Sequence, residues 1–338
     1  LPLSRKPRSG SARRVDTTRR SGLLSASVSK RGDLVFANVT RAAGIALLGL
    51  LVAIAAFLIW KAWPAFGKDQ ANFFTTKEWD PDGTHRFGIL ALAYGTVISS
   101  LVALVIAVPI AIGVALFITE YAPRRISRLL GYVTDMLAAI PSVVYGLWGL
   151  FFLVPHLVGV QKFLNAVFGW IPLFGGNRSD IVIPAGSLFA ASVVLAIMIL
   201  PIIAAISREV LRQADPAHKE AALALGATKF EMVRTAVLPP SRSGIIGAIM
   251  LGLGRALGET IAVALVLSTS YTISPHILQS GGNTIAANIA NTFGEAGGVG
   301  LPALIASGLV LFAITLAVNL AARAVIYRAG KMERSAVA

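Results

Sequence analysis

The stretch "SREVLRQADPAHKEAALALGATKFEMVRTAVLPP", residues 207–240, separates two strongly apolar runs, yet its composition is that of folded structure rather than of a loop. Asp215 followed by Pro216 has the form of an N-cap with proline at the first helical position, where a missing N–H costs nothing. Gly226, after "KEAALAL", suits the left-handed residue that ends a helix. Thr228 and Glu231 then have the spacing of a capping box. Phe230, Val233 and Val237 recur at helical intervals until Pro239, which predicts the end of this second helix. Ala221, Ala222, Ala224 and Ala227 surround Gly226 and leave the backbone open to close approach. The expectation is a helix–glycine–helix elbow, serving either as a docking element or as a solvated hairpin that joins its neighbours.

The flanks of the elbow define its environment. The chain of 338 residues is 56% hydrophobic and 14% charged, with a mean hydropathy of +0.75, which is more apolar surface than a soluble domain can bury. A hydrocarbon core about 30 Å thick takes about 20 mainly apolar residues per helix. Six runs meet that length: 42–60, 89–119, 129–155, 181–206, 243–268 and 299–322. Lys and Arg then assign the sides. Ten of the thirty lie in residues 1–41 and six in 207–242, whereas 269–298 carry none, so the positive-inside rule places the elbow and both termini in the cytoplasm. The reading is an all-α integral membrane protein of six transmembrane helices. It comprises a basic, disordered tail over 1–41 lying near membrane lipids, a six-span domain over 42–323 and a cytoplasmic C-terminal tail over 324–338.

A net charge of +14 is spread along the chain and accompanies no zinc-finger, helix-turn-helix or RNA-binding signature, so no nucleic acid is expected as a partner. The chain has no cysteine, hence no disulfide and no thiolate ligand. No G-x-x-x-x-G-K-[ST] occurs; Gly67–Lys68 and Gly330–Lys331 lack both the upstream glycine and the following hydroxyl, so this chain has no loop of that kind to cradle ATP. His85, His156, His218 and His276 stand on separate loops without ligand spacing, and no metal site is expected.

Three ionisable residues fall inside the spans: Asp135, Arg255 and Glu259. Each costs about 2.5–3.5 kcal/mol at a helix centre on insertion scales. In "GRALGET", residues 254–260, Arg255 and Glu259 are four apart and are expected to share one helix face. They either neutralise each other and hold a neighbouring helix, or line a route. Gly252, Gly254 and Gly258 strip bulk from around them and favour the route, leaving room for a partner helix or a passing solute. A guanidinium matches a tetrahedral oxyanion. A nearby carboxylate repels a fully deprotonated anion but accepts a hydrogen bond from phosphate, which keeps a proton near neutral pH. Asp135 is expected to cap, or to pair with one of Arg124, Arg125 and Arg128. Pro141 is expected to kink the third span, and Trp60 and Trp63 to anchor the first at the interface. The segment 283–298 is expected to be an interfacial helix.

The elbow resembles the EAA loop of bacterial ABC importer permeases: Glu220, Ala221, Ala222, Gly226, Leu238 and Pro239 fall in its register, with Ala236 where that pattern favours Ile. Four further stretches, 109–123, 138–155, 195–212 and 243–266, are similar to permease subunits of the phosphate-specific ABC importer, a resemblance that runs from about residue 89 to 323. It implies a type I ABC importer permease fold in the bacterial inner membrane, carrying phosphate by alternating access. It also implies a coupling role for the six EAA residues and a place for Arg255 and Glu259, at the R-x-x-G-E positions, in phosphate passage. The implied partners are a homologous second permease, a dimer of ATPase subunits that bind ATP and Mg2+ in place of this chain, and an exported phosphate-binding protein. This chain itself is then no enzyme and holds no cofactor. The alternatives are import of another oxyanion such as sulfate or molybdate, a scaffold that signals phosphate status to a kinase, and an intramembrane hydrolase. For the last, Ser99, Ser100, Ser142 and Ser192 lack an activating base within the spans.

Overall fold

The computed structural model describes residues 30–176 and 186–337. Helix α1 is Lys30–Phe66. It starts twelve residues before the first apolar run, so residues 30–41 are helical and the disordered tail expected over 1–41 is corrected there; residues 1–29 lie outside the described residues. Asp33 lies in the first turn, at the positive end of the helix dipole, and the Thr40 hydroxyl is satisfied within the helix by donating to the carbonyls of Phe36 and Ala37. Trp60 and Trp63 are exposed near its end.

A two-stranded hairpin follows, β1 (Trp79–Asp80) against β2 (Arg86–Phe87). Asp80 accepts from the N–H groups of Gly83 and Thr84 and so closes the turn. Edge-on contacts of Phe73 with Phe66 and Phe87 anchor it. Helix α2 (Leu90–Leu116) continues through a π-helical turn at Phe117–Tyr121. Ala103, Ala107, Ala111 and Ala115 recur every four residues along one fully buried stripe, which lets α2 approach α6 (Leu188–Arg212) closely, the most extensive helix pair among the described residues. Ser187 caps α6 by accepting from the Ala190 N–H.

Between them the third expected span, 129–155, is two separate pieces. Helix α3 (Arg124–Ala138) is amphipathic, with a polar face bearing Arg124, Arg125 and Arg128. Pro141 does not kink a continuous helix; with φ −60° and ψ 140° it opens a new one. The spanning unit is α4 (Ser142–Trp148), a π-helical turn at Gly149–Leu153 and α5 (Val154–Phe168).

The elbow is α7 (Pro216–Ala224) and α8 (Lys229–Met232), followed by a π-helical turn at Val233–Val237 and α9 (Leu238–Leu257). Pro239 therefore opens α9 rather than ending the elbow, because a proline in the first helical turn removes only an N–H that has no intrahelical acceptor. The fifth span breaks after Leu257 and resumes as α10 (Ile261–Val266). Within 283–298 the structure forms helix α11 (Ile285–Thr292), whose Ile285, Ala286, Ala287 and Asn288 are buried, and the Ile285 N–H donates to the Thr96 hydroxyl of α2. Helix α12 (Gly300–Val337) carries the last span and continues through residues 324–337. Six helical stretches among the described residues are long and apolar enough to cross a membrane.

Candidate functional site

The elbow forms as its cap residues dictate. Asp215 accepts from the Ala217 N–H. Gly226 takes φ +84° with open space where a side chain would stand, so the conformation and not packing requires glycine. Both bonds of the capping box are present: the Thr228 N–H donates to Glu231 at 2.8 Å and the Glu231 N–H to the Thr228 hydroxyl at 3.3 Å. No residue of α7 is buried. Leu225 is 89% and Phe230 66% exposed, and Glu220, Ala221 and Gly226 share that open surface. Ala222 and Leu238 face the other way, into a cluster with Ala115, Leu211, Met232 and Val237.

Sequence reasoning missed what fastens the elbow. Glu120, in the π-helical turn after α2, accepts from the Lys219 ammonium at 2.7 Å with its side chain 8% exposed. The Lys229 ammonium donates to the Glu120 carbonyl and stands over the Tyr121 ring. An acidic residue just past an apolar span, with lysines on a loop of the same side, was the available signal.

The structure separates the two charges of "GRALGET". Glu259 follows the end of α9, and the expected common helix face does not exist because the helix stops between them at Gly258. Glu259 is 8% exposed, and its Oε1 accepts from the Ala262 N–H, capping α10. Arg255 lies in the last turn of α9, is exposed, and has no ion pair among the described residues. Each charge thus meets the helix end of opposite sign, the guanidinium at the carbonyl end of α9 and the carboxylate at the amide end of α10.

Arg255 lines a cavity of about 620 Å³ together with Gly247, Met250 and Gly254 of α9 and Asn319 and Arg323 of α12. Among the described residues no carboxylate lines it. Gly254 faces open space, whereas a Cβ on Gly252 would stand 2.7 Å from the Ile203 side chain. Of these two expected openings, Gly254 gives room to the cavity and Gly252 to the packing of α6. Asn319 and Arg323 were not singled out from the sequence; a polar pair four apart at the end of the sixth span was their signature.

Asp135 pairs with neither Arg124, Arg125 nor Arg128. Its carboxylate receives the Arg208 guanidinium of α6 at 2.9 and 3.1 Å. A side chain at Gly131 would collide with that guanidinium. Elsewhere, Asp82 of the hairpin turn accepts from the N–H groups of Gly297, Val299 and Gly300 at the start of α12. The Gly297 N–H in particular, with those of Gly300 and Val299, holds this carboxyl below its ordinary range.

Six helices long and apolar enough to cross a membrane among the described residues, an exposed elbow and a cavity lined by two arginines fit the membrane subunit of a transporter. Residues 107–330 match the family of binding-protein-dependent transport system inner membrane components, and the chain belongs to it. Within that family it groups with phosphate transport system permeases. It is 46% identical over 302 residues to the phosphate transport system permease protein PstC 2 of Mycobacterium tuberculosis, covering 88% of this chain and 92% of that one. It is 40% identical over 334 residues to PstC of Mesorhizobium japonicum, covering 97% and 96%. A bacterial alginate ABC transporter, solved with an alginate-bound periplasmic protein, shares the fold with a TM-score of 0.56 at 17% identity, over 87% of this chain and 93% of that one.

Proposed function

We propose that this chain, a permease subunit of a phosphate ABC importer, passes inorganic phosphate through the cavity beside Arg255, and that the face of α7 docks on the ATPase that drives the cycle. The observation that carries this reading is a guanidinium inside an expected span that, among the described residues, has no ion-pair partner and faces a cavity lined by no carboxylate. An intramembrane cation of this kind is costly unless an anion visits it. A guanidinium offers paired donors to the oxygens of a tetrahedral anion. Glu259 serves the same site indirectly: it pins the start of α10 and so fixes the break at which Arg255 is presented.

Coupling runs through the elbow. Glu220, Ala221 and Gly226 form the contact with an ATPase dimer that binds ATP and Mg2+, while Ala222, Leu238 and Pro239, on the inner side of the elbow, couple that contact to α9. A second, homologous permease completes the passage, and an exported phosphate-binding protein delivers the anion. The test is ATP-dependent uptake of labelled phosphate by the assembled transporter carrying Arg255→Ala at matched membrane abundance. The expected result is a loss of at least tenfold with ATPase assembly intact; uptake equal to wild type overturns the route.

A further inference from the structure

We infer that Asn319 and Arg323 of α12 form a second phosphate-binding station in the same cavity, on its cytoplasmic side. This rests on the reading of that cavity as the route and adds the residues that take the anion from Arg255.

Asn319 and Arg323 are four apart on a continuous helix, so the amide and the guanidinium share one face, and both line the cavity that Arg255 lines from α9. The cavity's third wall comes from α6, which contributes the apolar Ile202. Arg255 and Arg323 are therefore the only charged groups lining it among the described residues, and neither has an ion pair there. Two cations brought to one partly apolar space repel each other. A passing oxyanion removes that repulsion, whereas a second apolar surface does not.

The volume suits the task. At about 30 Å³ per water, a cavity of about 620 Å³ holds a phosphate with part of its hydration shell, so the anion need not shed all its water at one step. Direction follows from helix polarity. With the orientation that the basic residues give, α9 runs outward and α12 inward, and Arg323 lies one turn beyond Asn319 toward the cytoplasm. Asn319 supplies both an N–H donor for a phosphate oxygen and a carbonyl acceptor for the phosphate proton. Arg323 supplies the charge at the exit.

The experiment is phosphate transport by the complete transporter, with second permease, ATPase and binding protein, reconstituted in vesicles of phosphatidylcholine alone or with phosphatidylglycerol. Arg323→Ala, Arg323→Lys, Asn319→Asp and Arg255→Ala are compared at equal assembly. The expected result for Arg323→Ala is a fall in maximal phosphate flux of about tenfold, in both lipids, while the loaded binding protein still stimulates ATP hydrolysis; Arg323→Lys recovers part of it. Asn319→Asp, which adds a carboxylate to the cavity lined by the two arginines, is expected to lose flux more steeply as pH rises and the doubly charged anion predominates. Should Arg323→Ala fail to assemble, the lysine and aspartate variants carry the test.

Flux within twofold of wild type in Arg323→Ala, or in both the lysine and aspartate variants, overturns the second station. A loss confined to vesicles containing phosphatidylglycerol also overturns it, since the site then serves a lipid headgroup. Arg255→Ala separates the two readings. If it abolishes flux while Arg323→Ala does not, the route stands and the second station falls. If Arg255→Ala is silent, the route itself falls.

Discussion

At the residue scale the two glycines beside Arg255 serve opposite ends, and substitution separates them. Gly252→Ala forces a methyl to within 2.7 Å of the Ile203 side chain, an overpacking that is expected to cost about 1–3 kcal/mol and to lower the amount of folded protein in the membrane. Gly254→Ala meets no atom within 4 Å, so the protein is expected to assemble at wild-type abundance. Gly254→Leu is expected to assemble as well but to fill the cavity and cut phosphate uptake severalfold. Abundance and uptake measured together check both. Equal uptake in Gly254→Leu and wild type would separate this cavity from the route.

At the scale of elements the elbow and the end of α2 behave as one lever, because Glu120 holds Lys219 through a largely buried carboxylate. Replacing it by Gln keeps the shape and removes the charge. Glu120→Gln is expected to leave the helices in place but to lower phosphate moved per ATP hydrolysed, read as uptake against ATPase rate in vesicles; an unchanged ratio would make the contact structural only. The elbow itself was legible from the chain because its signals are local: Asp215 and Pro216, the left-handed Gly226, and the reciprocal pair Thr228 and Glu231. What escaped the sequence depends on continuity or on distance. A hydropathy window averages across Pro141 and cannot register that α3 ends there. The rule that residues four apart share a face presumes an unbroken helix, and Gly258 breaks it between Arg255 and Glu259. Arg208, the partner of Asp135, lies 73 positions away, beyond any local pattern. Of the candidate site, the charge on the fifth span was readable; Asn319 and Arg323 were not, since their place beside it comes from the packing of α12 on α9.

At the scale of the whole molecule, Asp82 ties the hairpin after α1 to the start of α12 through three backbone N–H groups. Its carboxyl is held below the ordinary range, by the Gly297 N–H first, so the sign of the pH effect follows. The contribution is present above about pH 4, the carboxylate value in an unfolded chain. It is lost as pH falls through the lower folded value. Asp82→Asn is expected to lower the thermal midpoint at neutral pH and to flatten its decline on acidification; a wild-type midpoint at pH 7 would show that the tie contributes nothing.

The broken fifth span also bears on speed. Were Arg255 and Glu259 locked to each other, the pair would have to part whenever an anion claimed the guanidinium. Parting such a pair would add to the barrier for capture, and each 1.4 kcal/mol added to a barrier slows a step about tenfold. With each charge steadied by a helix end instead, no such toll recurs. If Arg255 is on the route, capture of an anion there meets no competing carboxylate, and release has to come from a change in the surroundings of the guanidinium.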